Sequence, residues 1–194
     1  TTIRTTGYIT RNNSSLIAKM LELEEEGVEY RLARKVGNLF ALVITLSSLK
    51  KGNEIYGDYS FLNYDVEQYY KDKTVNRKTT SLFKYVMNKH RSDVAIKSAC
   101  AIVAKYGKKA MFDLYYKAKA TEKSKKQVGL ICGTCHTFKG LTVDRAILDP
   151  SLNIDYLKDD KLSEVDKFNE TLLRFVAISR HKHRLDGASW LYSL

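Results

Sequence analysis

The chain has 194 residues, 44% of them hydrophobic, and carries 33 Lys and Arg against 22 Asp and Glu, a net charge of +11. That is enough chain and enough apolar side chain for one large domain, or a domain with a subdomain. The charge favours an anionic partner: nucleic acid, nucleotide or acidic membrane. The longest apolar runs, near Leu39–Leu46 and Phe175–Ile178, are too short to span a bilayer, so no membrane partner is expected.

Gly7–Thr10 is a short β-prone run, and Arg11-Asn12-Asn13-Ser14 after it supplies Asn and Ser suited to cap a helix. Leu16, Ile17, Met20, Leu21 and Leu23 recur at helical spacing up to Glu26, and Gly27 is a good helix stop. Val28–Leu32 reads as a second strand and Asn38–Leu49 as a second helix. Lys50–Tyr64, with Gly52 and Gly57, reads as an irregular crossing. From Asp65 to Ala120 the pattern is helical, with helices at Thr80–Asn88, Ser92–Tyr106 and Lys108–Ala120, the last two separated by Gly107.

Lys123–Lys126 is a charged link. Val128–Cys132 and Val143–Leu148 are apolar strands around a loop holding His136, Lys139 and Gly140. A polar stretch follows Pro150, and Ser163 caps a helix that carries Leu172, Leu173, Val176 and Ala177 and ends near Arg180. Ala188–Leu194 reads as a final strand. The expected organisation is an α/β domain over 1–50 and 123–194, interrupted by a helical insertion over 51–122, a usual subdomain size.

Cys132, Cys135 and His136 spell C-x-x-C-H, which is also the signature of haem attachment. That chemistry needs export, and no signal peptide pattern opens the chain. A redox pair needs a helix start after the cysteines, and Phe138-Lys139-Gly140-Leu141 is a poor one. Zinc needs four ligands, and no second pair accompanies these three. The two thiols therefore read as a buried strand cysteine and an inert loop cysteine, with no metal expected. Three cysteines without a framework fit a reducing, cytoplasmic compartment.

Two loci carry the chemistry: T-C-H-T-F-K-G-L-T-V-D over Thr134–Asp144, and L-L-R-F-V-A-I-S-R-H-K-H-R-L over Leu172–Leu185. In order and residue type they resemble motifs V and VI of superfamily 1 DNA helicases of the UvrD/Rep type. The matching residues are Thr134, His136, Lys139, Gly140, Leu141 and Asp144, then Val176, Ala177, Ile178 and Arg180. G-Y-I-T-R-N-N-S-S-L-I and E-E-G-V-E-Y-R-L are similar to stretches near the start of the same domain. A-I-K-S-A-C-A-I-V-A-K-Y-G is similar to the insertion of F-box DNA helicases and their phage and bacterial relatives.

The resemblance implies a RecA-like parallel sheet with a reduced helical insertion, and a role in DNA replication or repair. It implies an arginine finger at Arg180, nucleotide contacts from Gly140, Thr142 and Arg180, and single-stranded DNA contacts from Thr134, His136, Lys139, Arg11 and Asn12. Thr142 stands where the family has a glutamate that contacts the nucleotide sugar. No G-x-x-x-x-G-K-[ST] and no D-E-x-[DQ] occurs in the chain, so the phosphate loop and the Mg²⁺ ligands would belong to an N-terminal helicase domain that binds ATP and Mg²⁺. The chain starts at Thr1 and enters a strand almost at once, which reads as a monomeric piece of a longer protein. Low proline and many Lys, Tyr and Asn fit a bacterial or phage source. The alternative reading is a nucleic-acid-binding module without ATPase role, with Tyr69, Tyr70, Tyr85, Tyr106, Tyr115 and Tyr116 among lysines binding strands directly.

Overall fold

The computed structural model describes residues 2, 4–122, 128–153 and 162–188. Two compact units make up the chain: 1–36 with 118–194, and 37–117.

The first unit is α/β. Its strands are β1 (Thr6–Thr10), β2 (Arg31–Leu32), β3 (Leu130–Thr134), β4 (Val143–Leu148) and β5 (His181–Asp186), with helices α1 (Asn13–Glu25) and α6 (Glu164–Ile178). All strand pairs are parallel, in the order β2-β3-β1-β4-β5. A parallel sheet needs both faces covered. The face bearing Tyr8 lies under α1, whose Lys19 ammonium stands 5.1 Å from the Tyr8 ring centroid. The face bearing Ile9, Ile131, Ala146 and Leu148 packs with Ala177 of α6 and with Phe138.

Phe138 solves a geometric problem. A parallel crossover usually takes a dozen or more residues and a helix. Here β3 passes over β1 to β4 with only Cys135–Thr142 between them. Along that path the buried Phe138 ring packs against the sheet at Gly7 and Gly133. A Cβ on Gly7 would stand 2.8 Å from that ring, and a Cβ on Gly133 would stand 3.0 Å from it and 2.9 Å from Ala33. Glycine at both positions is thus a packing requirement.

The second unit is helical: α2 (Ala41–Ser47), α3 (Leu62–Lys71), α4 (Leu82–Lys89) and most of α5 (Val94–Thr121). Gly107, with φ 79° and ψ 168°, divides α5 into two helical segments, as expected at that residue. α2 belongs to this unit, so the boundary lies at 36/37 rather than the expected 50/51. Phe40, just before α2, is buried and meets Tyr115 of α5 edge-on at 5.7 Å between ring centroids. Apolar periodicity shows that α2 is buried and says nothing of which partner buries it.

Two expectations shift at the strands. The second strand shrinks from 28–32 to Arg31–Leu32. The run His181–Asp186, taken for the tail of a motif, is the edge strand β5. Its charged residues hide it from a periodicity reading, and charge on an edge strand discourages unwanted pairing. The strand expected over 188–194 falls on residues of which all but Ala188 lie outside the described ones. Among the described residues no helix is long and apolar enough to cross a membrane.

Candidate functional site

The connections leaving β1 and β3 run in opposite directions, β1 to β2 on one side and β3 to β4 on the other. Adjacent strands with diverging connections make a topological switch point, and a crevice opens at their carboxyl ends. Thr10 and Thr134 are register partners there. Arg11, Asn12, Cys135 and His136 follow them directly, so the fold brings Arg11, Asn12, Thr134 and His136 to one edge.

Their side chains differ in availability. Asn12 is the N-cap of α1; its Oδ1 accepts from the Ser15 amide at 2.9 Å. No acidic residue occupies the first turn of α1, which leaves the helix's own N-terminal amides unopposed by a carboxylate of that turn. The Arg11 guanidinium is forked onto the Glu170 carboxylate of α6, and its amide donates to Ser151 Oγ at 3.2 Å. Arg11 therefore ties the edge together, and its charge is already met. Thr134 is buried; its carbonyl accepts from Thr137 Oγ1 at 2.9 Å, so it shapes the turn under His136. His136 and Lys139 are exposed, with no side-chain hydrogen bond or ion pair among the described residues. Of the five residues expected to meet DNA, these two present free polar groups.

Arg180, Gly140 and Thr142 lie at the other end of the sheet. Val143 donates its amide to the Arg180 carbonyl at 2.9 Å, where β4 and β5 begin. A strand of five or six residues spans roughly 17–20 Å, which sets the distance between the two groups. Gly140 is exposed with φ 88°, and nothing lies within 4 Å of where its Cβ would be. Thr142 is exposed beside it. The Arg180 guanidinium folds over the end of α6, where Nε donates to the Val176 carbonyl at 2.9 Å and Nη2 to Ser179 Oγ at 2.7 Å. No carboxylate pairs with it among the described residues, whereas Arg145 and Arg184 share Asp186 nearby.

Asp144, matched in the motif without an assigned task, clamps this end. Its Oδ2 accepts from the Thr5 amide at 2.9 Å, the Arg4 amide at 3.0 Å and Thr5 Oγ1 at 3.0 Å. The amides of Thr5 and Arg4 hold its carboxyl below the ordinary carboxylate range. Sequence reasoning also missed Glu170 and Ser151, since partners about 140–159 positions apart leave no local signal.

The cysteines are all buried and free of disulfides. Cys135 donates its thiol to the Thr10 carbonyl at 3.4 Å. Burial pushes both the Cys132 and Cys135 thiols up to about 12, and Cys100 up to about 11. The thiolate is the reactive form, so native chain at pH 8 should resist iodoacetamide at all three sites and take up label at each once unfolded. Fast native labelling of Cys135 would show that the edge beneath His136 is open.

The exposed side of α6 carries apolar residues. Val165, Phe168, Leu172 and Phe175 are 47–68% exposed and recur at spacings of three and four, which makes one stripe along the helix. No protein-family model and no curated protein matches this chain.

Proposed function

We propose that the chain is the C-terminal, RecA-like motor domain of an ATP-dependent DNA helicase. It grips single-stranded DNA at the carboxyl edge of the sheet. At the amino edge it presents Arg180 to ATP held by an N-terminal domain. The observation that carries this reading is the separation of the two motif sets. Four of the residues assigned to DNA, Arg11, Asn12, Thr134 and His136, gather at the switch point, and those assigned to nucleotide gather about one strand length away.

The chain's residues fit the rim of a nucleotide site and not the whole of one. Among the described residues no cluster of His, Cys, Asp and Glu could hold a metal ion, and the sequence has no phosphate loop. Mg²⁺ supplied with ATP neutralises phosphate charge when bound. Arg180 adds a planar, permanently charged fork at the γ-phosphoryl, where charge grows in the transition state. Its present partners are a carbonyl and a hydroxyl, so moving toward a phosphate breaks no ion pair. The stripe on α6 supports a partner surface beside this end, since large exposed apolar patches mark interaction sites. At the other edge, the α1 amides and the His136 imidazole suit backbone phosphates and bases. Opening and closing against the ATP-binding domain would step this grip along the strand.

The chain alone should hydrolyse no ATP above background. It should bind oligothymidylate weakly, with affinity falling roughly as the 2.8 power of salt if about four phosphates are met. DNA-stimulated turnover by the isolated chain would contradict the reading. So would an affinity indifferent to salt.

A further inference from the structure

We propose that the helical unit carries a second contact for single-stranded nucleic acid, formed by the rings of Phe61 and Tyr64 at the start of α3 and the basic side chains Lys89, His90 and Arg91 at the end of α4. The proposal rests on the reading that the chain's partner is a single strand, and it places part of the grip outside the sheet.

The aromatic residues picked out by sequence are mostly structural. Tyr69 is buried and donates its hydroxyl to the Thr80 carbonyl at 2.8 Å. Tyr85, Tyr106 and Tyr115 are half-buried. Tyr70 and Tyr116 are exposed; outside that set, Phe61 is 45% exposed and Tyr64 61%. Three residues apart on one helix face, their Cβ atoms stand about 5–6 Å from each other, a spacing that adjacent nucleotides of an extended strand can match.

Each ring is backed by a group from α4. The Lys89 ammonium stands 4.8 Å from the Tyr64 centroid, and the His90 ring meets Phe61 at 5.5 Å between centroids. Lys89 and His90 are both fixed by the buried Asp65 carboxylate, so the platform is ordered before anything binds. Asp93, the nearby carboxylate in sequence, is used to cap α5, accepting from the Ile96 amide at 3.0 Å. Arg91 is exposed with no ion pair among the described residues.

The unit as a whole holds 14 Lys and Arg against 7 Asp and Glu. Exposed rings interleaved with cations suit a ligand that offers flat faces and negative charge together. A single-stranded nucleic acid offers both. An acidic peptide offers only the charge.

The test measures binding of the whole chain to fluorescein-labelled oligothymidylate by anisotropy. Phe61→Ala with Tyr64→Ala should weaken binding by at least about tenfold, at an unchanged salt slope. Phe61→Leu with Tyr64→Leu keeps apolar bulk, removes the stacking faces and should show the same loss. Arg91→Gln should lower the salt slope by about 0.7. Wild-type affinity in both double variants, with melting temperature kept, overturns the proposal. So does a loss confined to a poly-glutamate probe, which would make this a face for acidic protein. His136→Ala separates the two ideas. If it weakens binding while the ring variants do not, the helical contact falls and the motor reading stands. If only the ring variants weaken binding, the helical contact stands and the sheet edge loses its DNA role.

Discussion

Arg180→Ala in the full-length protein should lower kcat for ATP hydrolysis by about 10³-fold or more, the scale of arginine fingers. The expectation follows from what the guanidinium touches. It has a carbonyl and a hydroxyl at the end of α6 and no carboxylate among the described residues, so its charge is uncommitted. Charge on the γ-phosphoryl grows mainly in the transition state, so ATP binding should change far less than turnover. Arg180→Lys should rescue poorly, because an ammonium offers no planar fork. Near-normal kcat in steady-state assays of Arg180→Ala would remove the finger from the account.

The largest stability effect is expected at Phe138. The ring is fully buried between sheet and α6 cluster, and it enables the eight-residue crossover between β3 and β4. Phe138→Ala should destabilise the α/β unit by roughly 3–5 kcal/mol, the usual range for emptying a large aromatic site. Gly133→Val should be comparably harmful from the opposite direction, since its Cβ would meet Ala33 and the Phe138 ring within 3.0 Å. Gly140→Ala is the contrast. Its site is open, so only the left-handed φ of 88° opposes it, and the cost should be about 1 kcal/mol. Urea unfolding followed by circular dichroism ranks the three. A Phe138→Ala chain as stable as Gly140→Ala would mean the crossover does not depend on the ring.

Much of the α/β unit was legible because its signals are local. Leu16, Ile17, Met20 and Leu21 mark α1 by spacing, Asn12 caps it, and Ser163 caps α6. The apolar runs around Ile131 and Ile147 mark two central strands. The edge strands were harder: β2 has two residues, and β5 opens His-Lys-His-Arg. Motif order pointed to both groups of site residues, yet spacing in sequence could not show that they occupy opposite ends of a sheet. Nor could it show that the Arg11 guanidinium is engaged by Glu170 and its amide by Ser151. Those are long-range or competitive pairings, decided only when the chain is folded. In the helical unit, helical spacing identified tyrosines without telling buried Tyr69 from exposed Tyr116.

The central claim is that the two edges of one sheet serve different ligands, and the affinity of Arg180→Ala full-length protein for single-stranded DNA tests it most directly. With His136→Ala measured beside it, Arg180→Ala should bind within about twofold of wild type while His136→Ala binds markedly less tightly, because the two residues lie at opposite ends of strands that span roughly 17–20 Å. Loss of DNA affinity in Arg180→Ala with turnover retained would contradict the account and make Arg180 part of a nucleic-acid surface.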